Sequence, residues 1–266
     1  MKSINRLFVF VCLVTIVCVF ILVVTTRSVG NKVLNNKIQQ PLYSPTPMIV
    51  LMSAPSVSLP VVVSPTTEKL TVEHNILLEV PFVVQAPRHN WKDLVYQNAC
   101  EEASILMAMR WAEDRALTSE EAFFEIQKIS DYSKKHYGFY LDQSSEDLAV
   151  LMRDYFKYPN VNYRKNIQTV DINAELKKGN LVLVPVNGQK LGNPYFTQPG
   201  PTEHMLVIKG YDTKTDEFIT NDPGIGKGKG YRYKDQVLDK ALQKYPSGYH
   251  EKINKVEKVM IVVGKK

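Results

Sequence analysis

Cysteine is scarce in this chain. Only Cys12, Cys18 and Cys100 occur among 266 residues, too few and too irregularly spaced for a disulfide framework or a cysteine-rich zinc site. Long apolar runs are scarcer: one uncharged stretch, residues 7–24, excludes a multi-pass membrane protein. No His-Glu-x-x-His or comparable ligand spacing occurs, so the sequence calls for no metal and no cofactor. Glycine clusters at 224–230 (GIGKGKG), but without the Gly-Lys-Ser/Thr ending of a phosphate cradle; a mobile basic loop is expected there. Charge of one sign is also lacking where it would matter. The formal net charge is +6, yet residues 1–75 hold six basic side chains against two acidic ones, which leaves 27 against 25 in residues 76–266. A near-balanced domain argues against a nucleic-acid partner.

Three segments differ in composition. The uncharged stretch at 7–24 would form ~27 Å of helix, close to the ~30 Å apolar core of a bilayer. Lys2 and Arg6 precede it, a bias that keeps that end in the cytoplasm. The stretch is longer than the ~7–15 residues of a signal-peptide core, and no Ala-x-Ala follows it. Residues 1–27 are therefore expected to be an uncleaved membrane anchor rather than a signal segment; either places the remainder outside the cytoplasm. Residues 28–75 carry six of the fifteen prolines and no helical period, as a semi-extended spacer would. Residues 76–266 form the folded domain.

Within that domain the period of apolar residues changes along the chain. Residues 80–84 (VPFVV) suggest a strand, and residues 100–113 a helix with almost no polar face. Thr118 and Glu121 form a capping box for a helix with Ala122, Phe123, Ile126 and Ile129 on one side. Ser144 or Ser145 caps another helix to about Phe156, and residues 172–178 form a short one stopped by Gly179. Residues 181–186, 204–211, 217–220 and 256–263 are β-rich, with turn residues between them. Helices first and strands last predict an α+β domain with helices on one side of an antiparallel sheet.

Cys100 is the only cysteine of residues 76–266. An odd cysteine in an exported protein is a reactive thiol or an intermolecular bond, and the bland alternative is an inert buried residue. It stands where the buried helix begins, at the end with partial positive charge, which lowers a thiol pKa; Glu101 and Glu102 compete for that same end. A nucleophilic thiol needs a base. Of His89, His136, His204 and His250, with His74 at the edge, only His204 begins a strand (HMLVIKGY). The base needs an orienting acceptor. Asp222 ends the next strand, before Pro223-Gly224, although an aspartate there is also an ordinary turn residue.

Four segments in order carry a family resemblance. Residues 80–85 (VPFVVQ) with 99–104 (ACEEAS), the run 176–184 (LKKGNLVLV), 203–212 (EHMLVIKGYD) and 221–224 (NDPG) resemble the C39-like cysteine peptidases, a branch of the papain-like superfamily. The resemblance covers about residues 76–265. It implies a papain-like fold, its N-terminal helical part packed on a C-terminal antiparallel sheet. It also implies Cys100 as nucleophile, His204 as general base and acid, and Asp222 as orienter. Gln85 would donate to the oxyanion beside the Cys100 backbone N–H, with Gln97 as rival. The chain has Asp where papain has Asn, and it lacks papain's Cys-Gly-x-Cys-Trp. The expected function is a membrane-anchored extracytoplasmic peptidase acting on a peptide or protein substrate through an acyl-enzyme. Two other classes stay open: a non-catalytic peptide or cell-wall binding module, and a tethered scaffold using Cys100 as an intermolecular disulfide.

Overall fold

A computed structural model describes residues 75–265. The anchor expected at 1–27, with Cys12 and Cys18, lies outside the described residues, as does all of the 28–75 spacer except Asn75. Among the described residues no helix is long and apolar enough to cross a membrane.

The chain opens with a two-residue strand β1 (Ile76–Leu77), a short helix α1 (Leu94–Gln97) and helix α2 (Cys100–Ala112). Every α2 residue except Arg110 is buried, as a helix apolar on all sides requires. Helix α3 (Ser119–Tyr137) starts at the expected capping box. The Glu121 N–H donates to Thr118 Oγ1 at 3.1 Å, and the Thr118 N–H donates to Glu121 Oε2 at 3.0 Å. Ser144 caps α4 (Ser145–Tyr155) by accepting from the Asp147 N–H.

Strands and shorter helices then alternate. In chain order they are β2 (Val161–Lys165), α5 (Thr169–Lys177), β3 (Leu181–Val186), α6 (Gly188–Leu191), β4 (His204–Asp212), β5 (Glu217–Asn221), β6 (Lys229–Lys234), α7 (Asp235–Ala241) and β7 (Val259–Val263). The sheet runs β2-β7-β3-β4-β5-β6, with β1 added to β4. All neighbouring strands are antiparallel. The α+β class and the helical part packed on an antiparallel sheet are as expected of a papain-like fold.

One part of that expectation is corrected. Helices cover both faces of the sheet, not one. Leu181 and Leu183 of β3 join a core with α2, α3 and α4, including Ile105, Ile126 and Leu148. Val182, Val184 and Val186 join a second core with Ile172 and Leu176 of α5 and Leu238 of α7. Strand β3 is apolar at every position, and all six residues are buried. A strand without polar alternation has no face to offer to water.

Residues 80–84 do not form a strand. Pro81 has no N–H to give to a ladder. The carbonyls of Val80 and Pro81 instead accept from the side-chain amide of Asn221, at 3.4 and 3.2 Å. Nor is 224–230 a free loop. It is a tight turn in which the Asp222 N–H donates to the Gly228 carbonyl at 3.0 Å. A Cβ on Gly228 would lie 1.8 Å from the Asp222 carbonyl oxygen, so only glycine fits the approach. Strands β2 and β6 have no continuous apolar run, and so they escape a pattern search.

Candidate active site

Strand β4 begins at His204, paired across the sheet with Val186 of β3. Strand β5 ends one residue before Asp222. The turn that follows brings the two together: His204 Nε2 lies 2.8 Å from Asp222 Oδ1, with both side chains buried. With the proton on Nε2, Nδ1 keeps the lone pair a base requires. The Phe196 ring packs edge-on against the imidazole, centroids 5.3 Å apart. Asp222 has two further donors. The Gly224 N–H reaches Oδ1 at 3.0 Å, and the Tyr233 hydroxyl reaches Oδ2 at 2.7 Å. Tyr233 is itself held by Asn193 Nδ2 at 2.6 Å. Burial, then the Asp222 charge, push the Tyr233 phenol far up, so it stays a donor. Gly224 is required here, because a Cβ would sit 2.9 Å from His204 Cε1.

Cys100 is the first residue of α2, next to Ala99, which provides no side-chain cap. Cys100 and His204 line the same cavity, about 590 Å³ in volume. Among the described residues no hydrogen bond joins them. The thiol donates instead to Glu101 Oε2 at 3.0 Å. Its pKa is pushed up, not down as the helix end alone would have it. Burial contributes most, followed by the charge of Glu101, the hydrogen bond to Glu101 and the charge of Asp142. Glu101 is buried too, and its Oε1 accepts from the Tyr245 hydroxyl at 2.7 Å. Burial and the Asp142 charge raise the Glu101 carboxyl to about 7, opposed by the hydrogen bonds from Tyr245 and Cys100.

Gln85 and Gln97 both line the cavity. The Gln85 N–H donates to the Pro223 carbonyl at 2.9 Å. Its side-chain Nε2 donates to the carbonyls of Tyr96 and Gln97, at 3.2 and 2.8 Å, while Oε1 is buried without a partner. The amide that would serve an oxyanion is therefore already engaged by α1. Opposite lie Asp142, Glu203 and His250, whose ligand-type atoms fall within 4.8 Å of one another. His250 Nδ1 stands 3.3 Å from Asp142 and 3.4 Å from Glu203.

Sequence reasoning singled out Cys100, His204, Asp222, Gln85 and Gln97. It passed over Tyr233, Asn193, Asn221 and Tyr245. Glu101 was noted only as a rival for the helix end; its position next to the thiol was the available signal.

Comparison with known proteins adds two findings. The model of the Peptidase_C39 like family matches residues 77–253. Twelve solved chains match, among them a crystal structure from Bacillus anthracis provisionally assigned as a C39-like peptidase. It is 15% identical, covers 73% of this chain and 98% of that chain, and has a TM-score of 0.48. No curated protein matches.

Proposed function

Because the chain belongs to the Peptidase_C39 like family, we propose that it is a cysteine peptidase in which Cys100, His204 and Asp222 act together. The observation that carries this reading is the buried 2.8 Å contact between Asp222 and a histidine lining the same cavity as Cys100. His204 takes the thiol proton, and the thiolate attacks the substrate carbonyl carbon. As the C–N bond breaks, His204 returns the proton to the leaving amine. Water, deprotonated by His204, then cleaves the thioester and regenerates the thiol. The Cys100 backbone N–H is one oxyanion donor. Gln85 becomes the second by releasing one of its two carbonyls, or Gln97 takes that place.

The test is cleavage of an unfolded protein such as casein by the full chain. Cys100→Ala is expected to lose at least about a thousandfold in turnover. Cleavage that survives the substitution would refute the assignment. The engaged Gln85 amide favours one second reading, a module that binds peptides without cutting them; it predicts casein capture by both forms and cleavage by neither. From the uncharged run at 7–24 we also propose that residues 1–27 hold the domain at the outer face of a membrane, with 28–75 as spacer. The chain should then resist extraction from membranes at alkaline pH, and release would contradict it.

A further inference from the structure

The thiol of Cys100 is not bonded to the imidazole that would activate it. It is bonded to its sequence neighbour, 3.0 Å away, and that neighbour is fixed from the other side by Tyr245. Cys100, Glu101 and Tyr245 are all buried. An ionised carboxylate accepts the thiol proton's hydrogen bond and therefore favours S–H. A thiolate in its place would set two negative charges side by side in a buried site. A protonated carboxyl reverses the bond, because its O–H can donate to S⁻.

We propose that Glu101 is a positioning residue for the nucleophile: ionised, it holds Cys100 as a thiol, and protonated, it donates to the thiolate that forms against His204. The inference rests on the reading of Cys100 and His204 as a reacting pair. The proton count is simple. In the resting form the thiol proton stays on sulfur, shared with the Glu101 carboxylate. To reach the competent form, Glu101 takes one proton from solvent and the thiol proton passes to His204. The Cys100–His204 pair is then a neutral zwitterion, with Glu101 O–H donating to sulfur.

The surroundings support this. Glu101 is faced by Cys100 and Glu102 on its own helix, by Tyr245 after α7, and by Asp142 between α3 and α4. Behind Asp142 stand His250 and Glu203, and His204 comes from β4 across the cavity. Burial, then Asp142, hold the Glu101 proton on to about pH 7, within reach of ordinary conditions.

The test is the rate of Cys100 alkylation by iodoacetamide between pH 5 and 9. It is made in the full chain and read on the Cys100 peptide by mass spectrometry, which separates it from Cys12 and Cys18. In the wild type the rate should fall several-fold from pH 6 to pH 8, opposite to a simple thiol. Glu101→Gln keeps an acceptor for Tyr245 and presents an N–H to sulfur. Its rate should not fall, and at pH 8 it should exceed wild type by about tenfold or more, the effect of removing one adjacent like charge. Identical profile shapes in the two forms would overturn the inference. Tyr245→Phe gives a second check. It removes a donor to the ionised carboxylate, so the fall should move to higher pH, and an unmoved fall would count against Glu101. His204→Ala separates the two ideas. If it leaves the wild-type profile unchanged, the Cys100–His204 pair itself fails. If it abolishes the acid-side reactivity while Glu101→Gln still follows wild type, only the role of Glu101 fails.

Discussion

Asp222 is fully buried, yet both its oxygens are bonded, to His204, the Gly224 N–H and the Tyr233 hydroxyl. Three donors offset the cost of taking a carboxylate out of water. The donors are not equivalent: His204 faces the cavity, and Tyr233 stands behind. Asp222→Ala should reduce casein turnover by about 10²–10⁴, because the imidazole loses both its tautomer and its orientation. Tyr233→Phe should cost less than tenfold in turnover, with about 1 kcal/mol of stability in a urea titration. The opposite order would show that Asp222 acts on the fold and not on His204. Residues at element boundaries were legible in the sequence. Cys100 begins an apolar helix, His204 begins a β-run, and Asp222 precedes Pro-Gly. Their hydrogen-bond partners were not. Tyr245 lies 144 positions from Glu101, and Asn193 lies 40 from Tyr233. No local pattern encodes contacts that depend on how distant loops return. The thiol shows the same gap: the helix end argues for a lowered pKa, while burial, and after it the Glu101 carboxylate bonded to sulfur, reverse the sign.

Elements with local signals were read well. The α2 and α3 helices announce themselves by composition and by the Thr118 box, both of which act within a few residues. The 80–84 segment suggests a strand but does not form one, because a short apolar run says nothing of where backbone donors and acceptors go. Its carbonyls are taken by Asn221, whose Oδ1 also accepts from the Gly230 N–H at 3.2 Å. One buried amide thus ties the segment leading to Gln85 to the strand leading to Asp222. Asn221→Ala should lower stability by about 1–3 kcal/mol, since it leaves buried backbone groups unpaired. Chemical denaturation measures it, and a loss well under 1 kcal/mol would mean that water replaces the amide.

The described residues build two apolar cores divided by one sheet, and three of their buried acids, Glu101, Glu102 and Asp142, gather near the start of α2. Burial, then Glu101, raise the Glu102 carboxyl well above its ordinary range, and Glu101 itself reaches about 7. A carboxyl whose folded pKa is raised contributes stability that is complete below the unfolded value of ~4.3 and is lost as pH climbs through the folded value. The urea midpoint should therefore rise as pH falls from 8 to 5.5. Half-buried carboxylates such as Asp212, Glu217 and Glu257 are shifted downward, so their contribution is lost only at pH below that window. Glu101→Gln should flatten the trend; an unchanged slope would place its origin elsewhere.

The turn after Asp222 holds glycines of opposite character. At Gly226 an added methyl meets nothing within 4 Å, whereas at Gly228 it would collide with the Asp222 carbonyl. Two positions apart, one site should be freely substitutable and the other closed even to alanine, so the half of this glycine-rich stretch that fastens Asp222 can be told from its merely permissive half by a single pair of variants.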